Sequence, residues 1–175
     1  MKKFFLIITV LCMVSLLEAQ TSAVDEMFNK YSEREGFTLV SISSKMLSLF
    51  AGKDLKADDG SDIVRRLKSI RILSVEDSLL NRNLNFYNEL SKKLDLSVYE
   101  ELMAVKGGGE TTKFLIRQNG NIITELLVIT GGPENNTLIS IKGDLDLKSL
   151  SDLSKNTGIE ELKNLENIDK KSPQK

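Results

Sequence analysis

Residues 112–130 read TKFLIRQNGNIITELLVIT. Two runs rich in β-branched and apolar residues flank Asn119-Gly120. Asn-Gly between such runs is the strongest short hairpin signal, because a type I′ turn needs positive φ at both central positions. The stretch therefore predicts strands over 112–118 and 121–130. Residues 99–106 and 136–141 share that strand composition, and Gly107-Gly108-Gly109 and Gly131-Gly132-Pro133 punctuate the joins. Four consecutive strands with short connections make an antiparallel meander.

The chain before this meander has a different period. Val24, Met27, Phe28 and Tyr31 fall at helical spacing and make one apolar stripe, ended at Gly36. FTLVSIS at 37–43 alternates apolar and hydroxylated residues and predicts a strand, as does IRILSV at 70–75. Met46, Leu47, Leu49 and Phe50 predict a short helix, and Ile63, Val64 and Leu67 another. Leu80, Leu84, Tyr87, Leu90 and Leu94 read as one helical stripe, while Leu147, Leu150, Leu153, Ile159, Leu162 and Leu165 predict closing helical segments. The expected architecture is a single α+β domain over 20–168, an antiparallel sheet with a meander in its C-terminal half and helices packed on one face.

The two ends are read separately. Lys2 and Lys3 precede an apolar run from Phe4 to Leu17, and Leu17-Glu18-Ala19 supplies a small residue for cleavage. That is the layout of a secretory signal peptide over residues 1–19. The run falls short of the roughly twenty apolar residues a bilayer span needs, and no transmembrane segment is expected after cleavage. An exported protein, periplasmic or associated with the cell envelope, is the expectation. Cys12 lies within the leader, so the mature chain is expected to have no thiol and no disulfide. DKKSPQK at 169–175 predicts an unordered tail.

Composition removes much of the usual chemistry. The 175 residues carry 24 basic and 25 acidic side chains, with no His and no Trp. A net charge of −1 gives no field for a nucleic acid partner. Without His, and with its Cys in the leader, the mature chain has neither a Ser-His-Asp nor a Cys-His arrangement. A Ser-x-x-Lys spacing occurs at Ser172–Lys175, in the expected tail, and Ser44-Lys45 point apart on a helix start. Asp54, Asp58, Asp59 and Asp62 surround Gly60, but Leu55 stands where a calcium loop needs its first ligand. The glycines at 107–109 lead into a strand, whereas a phosphate loop opens a helix. No metal site and no cofactor is expected.

What remains is carboxylates and modification patterns. Glu100 and Glu101 start a strand, and Glu125 sits mid-strand between apolar neighbours, so it faces either solvent or a buried site, solvent being the commoner environment of a Glu. Asn135-Asn136-Thr137 matches the N-glycosylation pattern. Asp77-Ser78-Leu79 resembles a short O-glycosylation acceptor of some exported bacterial proteins, with Ser78 as acceptor, and equally reads as a helix cap. Leu126, Leu127, Val128 and Ile129 are apolar on both strand faces. Either the chain covers both faces, or these four residues form an interaction face for a partner.

Several segments together resemble the domain-of-unknown-function 4252 family of small exported bacterial proteins. They are VDEMFNKY at 24–31, EGFT at 35–38, residues 42–46, LKSIRIL at 67–73, residues 99–105 and 113–116, LISIKGDLDL at 138–147 and LSDLSK at 150–155. The resemblance implies export and a compact domain. It implies no reaction and no catalytic residue, and it suggests an accessory role in envelope stress signalling. Two functional readings follow. The first is a non-enzymatic binding or interaction module with an envelope protein or lipid partner. The second is a carboxylate-based hydrolase acting on an envelope or glycan substrate, which needs two carboxyl groups roughly 5 to 10 Å apart in a cleft.

Overall fold

A computed structural model describes residues 22–50, 61–95, 97–146, 148–150 and 162. The expected leader with Cys12, Asp54, Asp58 and Asp59 of the acidic cluster, Leu147, residues 151–161 and 163–168, and the 169–175 tail lie outside them. In chain order the elements are α1 (Ala23–Tyr31), β1 (Phe37–Ser43), α2 (Ser44–Phe50), α3 (Ser61–Arg66), β2 (Leu67–Val75), α4 (Ser78–Asn83), α5 (Phe86–Ser91), β3 (Glu100–Gly107), β4 (Glu110–Asn119), β5 (Ile122–Gly131) and β6 (Asn136–Leu145).

The six strands form one sheet in the order β1-β2-β6-β5-β4-β3, with every neighbouring pair antiparallel. The meander from β3 to β6 is the expected one. Its last strand returns to pair with β2, and so joins the two halves of the chain into one α+β domain. Among the described residues, β1 and β3 are the edges.

Helices cover both faces of this sheet, not the single face expected. On one face α1 buries Val24, Met27, Phe28 and Tyr31, and α5 buries Phe86 and Leu90, against Leu73, Leu115, Leu127, Ile129 and Leu138. On the other, Leu47 of α2, Ile63 of α3, Leu150 and Leu162 pack on Phe114, Ile116, Leu126, Val128, Ile139 and Ile141. The reason is the apolar character of both faces of β5 and β6. Each enclosed Leu, Ile or Val side chain contributes about 1.5–3 kcal/mol relative to exposure, so a bare face would forgo half of that gain.

Two local expectations are corrected. The β4–β5 turn is Gly120-Asn121, one residue later than the Asn119-Gly120 turn expected, because Asn119 pairs with Ile122. Positive φ occurs at Gly120 (60°) and not at Asn121, as in a type II′ turn. The turn with positive φ at both positions is Gly108-Gly109 between β3 and β4 (59° and 83°). Second, the stripe from Leu80 to Leu94 is broken. Leu84 is extended (φ −118°, ψ 156°), and Asn85 starts a new helix by accepting from the Asn88 N–H.

Asn136 holds that break in place. Its fully buried carboxamide oxygen accepts the Phe86 N–H at 2.8 Å, while its nitrogen donates to the Gly132 carbonyl at 2.8 Å and to Asn81 Oδ1 at 3.0 Å. Gly131 completes the contact. A β-carbon there would lie 2.6 Å from the Tyr87 backbone nitrogen, so only glycine lets the end of β5 run beneath the start of α5.

Candidate functional site

A charged, hydrogen-bonded cluster begins at a β-bulge. Pairing of β4 with β5 shifts between Arg117/Gln118 and Ile123/Glu125, so Thr124 is the extra residue. Its hydroxyl donates to the Arg117 carbonyl at 3.0 Å. A bulge changes which face the following side chains point to. Ile123 and Leu126 thus share the face covered by α2 and α3, and Glu125 turns to the face covered by α1 and α5.

Glu125 is therefore fully buried, against the expectation of a solvent-facing carboxylate. Ser140 donates to Oε1 at 2.6 Å, Tyr99 donates to Oε2 at 2.9 Å, and Arg117 also donates to Oε2. Arg117, Glu125 and Lys142 stand opposite one another on β4, β5 and β6, a row of alternating charge. Lys142 Nζ lies 4.0 Å from Glu125 Oε1 and 3.8 Å from Asp25 Oδ1. Asp25 Oδ1 and Glu125 Oε1 are thus at most about 8 Å apart, on either side of the Lys142 ammonium.

Asp25 enters from α1. Ser22 caps that helix by accepting the Asp25 N–H at 3.1 Å and donates its hydroxyl to Asp25 Oδ2 at 2.7 Å. Arg71 of β2 pairs with Asp25 Oδ1 and lies 4.2 Å over the Phe28 ring. Burial pushes the Asp25 pKa up, but the hydrogen bonds from Ser22 and Arg71 and the charge of Lys142 outweigh it, so the carboxyl titrates below its ordinary value. Burial, reinforced by the Glu125 charge and hydrogen bond, pushes the Tyr99 hydroxyl up. Tyr99 is thus a firm donor to Glu125 across the ordinary pH range.

The Tyr99 ring forms one wall of a cleft of about 180 Å³ between α5 and the β3–β4 edge. Tyr87, Leu94, Leu115 and Ile129 make the rest of its apolar lining, and Ser91, Glu101 and Lys113 supply polar groups. Lys113 donates to Glu101 at 2.5 Å and stands 5.5 Å from the Tyr87 ring centre. The polar network behind Tyr99 fixes that wall before any ligand arrives, which lowers the ordering cost of binding.

The family described as "Domain of unknown function (DUF4252)" matches residues 31–153. The chain belongs to that family. The DUF4252 match spans all six strands, including Arg71, Tyr99, Arg117, Glu125 and Lys142 and the whole cleft; Ser22 and Asp25 precede it. No curated protein and no solved structure matches the DUF4252 chain.

The other sequence-derived candidates of this DUF4252 chain fall elsewhere. Leu126, Leu127, Val128 and Ile129 are at most 1% exposed. They are core on both faces and not the interaction face expected, because helices from this same chain cover both sides. Ser78 is exposed at the start of α4, where Asp77 makes the cap by accepting from the Leu79 and Leu80 N–H groups at 2.7 and 2.9 Å. Asn135 is half-buried and accepts from the Thr137 hydroxyl at 2.7 Å. Glu100 and Glu101 are exposed on β3. Sequence reasoning missed the Arg71, Arg117, Lys142 and Asp25 set. The available signal was a charged residue amid the apolar positions of a strand, Arg71, Arg117 and Lys142, at positions that only the pairing register brings into line.

Proposed function

We propose that this chain is an exported, non-catalytic binding module of the periplasm or cell envelope, accessory to envelope stress signalling, and that its binding element is the cleft beside Tyr99. The observation that carries this is the cleft itself, walled by two tyrosines and aliphatic side chains with Lys113 and Glu101 at its polar side. Such a mainly apolar concavity with few polar groups is the usual form of a ligand site. Its size suits one ring or a short branched chain, presented by an envelope partner or a small free molecule.

The alternative, hydrolysis by paired carboxylates, has Asp25 and Glu125 as its candidates. Glu125, however, is enclosed and receives hydrogen bonds from three side chains, and Asp25 has a lowered proton affinity. A general acid must hold a proton near working pH, which Asp25 does not, and must reach the substrate, which enclosed Glu125 does not. The binding reading is therefore the one we adopt.

The test is nuclear magnetic resonance titration of the protein with indole, p-cresol and hexanoate. Saturable shifts are expected at residues around Tyr87 and Tyr99 for at least one probe. Ser91→Trp, which fills the cleft from its half-buried rim, should abolish them while leaving the circular dichroism spectrum unchanged. No saturable shift with any probe, or shifts that survive Ser91→Trp, would refute the assignment.

A further inference from the structure

The two edges of the sheet are built differently. β3 carries Glu100, Glu101 and Lys106 and has a bulge between Glu101 and Met103. Charges and bulges are the devices that stop an edge strand from pairing with another chain. β1 has neither. Its seven residues, FTLVSIS, contain no charge, no proline and no glycine, and their pairing with β2 is regular from Phe37↔Val75 to Ser43↔Ser69.

The direction of the β1 backbone groups follows from one hydrogen bond. Glu76 donates its N–H to the Gly36 carbonyl at 3.0 Å, in register with Phe37↔Val75. Antiparallel bonding alternates along the strand, so Thr38, Val40 and Ile42 bond inward to β2. Leu39 and Ser41 direct their N–H and carbonyl groups away from the sheet. Leu39 is 36% exposed and Val40 41%.

We propose that this edge pairs with a second copy of the chain, the two β1 strands running antiparallel about a two-fold axis at Val40. This register matches the whole strand with itself. Leu39 meets Ser41 of the second copy through their outward backbone groups, Thr38 meets Ile42, and Val40 meets Val40. Charge complementarity favours a second copy over an unrelated strand. Glu35 and Lys45, both exposed, lie five positions either side of Val40, so each Glu35 comes to the Lys45 end of the other copy. The result is a closed, isologous dimer with one continuous sheet. Met46 and Leu49 on α2, 47% and 66% exposed, flank the seam.

Sedimentation velocity and a disulfide trap test this on protein purified from exporting cells. A dimer is expected at about 200 μM, a range in which even a weak association registers. Val40→Lys sets like charges against each other at the axis and should weaken the dimer by roughly a hundredfold. Its exposed position leaves the circular dichroism spectrum unchanged. Glu35→Lys should weaken it, and Glu35→Lys with Lys45→Glu should restore it. Val40→Cys should crosslink to itself on mild oxidation, because a non-hydrogen-bonded antiparallel pair brings β-carbons to disulfide distance. A protein that stays monomeric overturns the proposal, including one that is monomeric but binds an unrelated extended peptide at β1. So does a dimer that tolerates Val40→Lys, or a Val40→Cys variant that does not crosslink.

Discussion

Replacing Glu125 by alanine removes the acceptor shared by Ser140, Tyr99 and Arg117. The cost divides unevenly among them. Arg117 and Lys142 have side chains 39% and 31% exposed, so water recovers much of their lost interaction. Ser140 is 1% exposed, and its stranded hydroxyl alone costs about 1–3 kcal/mol. Tyr99 loses the acceptor of its hydroxyl. Breaking a buried ion pair from one side costs about 3–5 kcal/mol. The exposure of the two cations places Glu125→Ala near the lower end, about 3 kcal/mol of an expected total of about 5–15 kcal/mol. The assay is urea unfolding followed by circular dichroism. Arg117→Ala is the control, because Glu125 then keeps Ser140 and Tyr99, with Lys142 4.0 Å away, and only the partly exposed cation is lost. It should cost less, about 1–2 kcal/mol, because the buried carboxylate keeps two of its hydrogen bonds. A Glu125→Ala loss under about 1 kcal/mol, or equal losses for the two variants, would refute the view that Glu125 is the centre of the network.

Three further outcomes are expected. Asp25 has a folded pKa below its unfolded value near 3.8, so its stabilisation is complete above that value and is lost as pH falls through the folded pKa. The stability difference between wild type and Asp25→Asn should therefore shrink toward zero in acid, and a constant difference from pH 6 to pH 2 would count against it. Gly131→Ala puts a β-carbon 2.6 Å from the Tyr87 backbone nitrogen; it should cost about 1–3 kcal/mol in the same unfolding assay. Asn136→Ala strands the buried Phe86 N–H and the Gly132 carbonyl, at about 1–3 kcal/mol for each group. Amide exchange at α5 should accelerate in that variant before global stability falls.

The strands were legible because their signals are local. FTLVSIS at 37–43 and the meander around 112–130 show composition and turn chemistry within a few residues, and the structure has strands there. The α1 stripe is equally local, and its four apolar residues are all buried. The stripe from Leu80 to Leu94 misled because spacing alone does not register an interruption imposed from elsewhere. Asn136, fifty residues away, accepts the Phe86 N–H and stabilises a second helix start. The candidate site was less legible still. Glu125 was visible as an odd residue in an apolar strand, but its partners Arg117, Ser140 and Tyr99 come from other parts of the chain and only the strand pairing brings them to it.

By itself, the sequence determined that this is an α+β chain with a C-terminal meander, that it holds no His and a single Cys, at position 12, and that the stretch 24–31 has one apolar face. Those properties follow from composition and from periods of two and 3.6 residues, which need no knowledge of neighbours. Tertiary structure alone decided that Leu126 to Ile129 are core, that Glu125 meets Arg117, Ser140 and Tyr99, and that uncharged β1 lies at an edge. Each of these depends on which strands pair and in what register. A one-residue shift sends every following side chain to the opposite face.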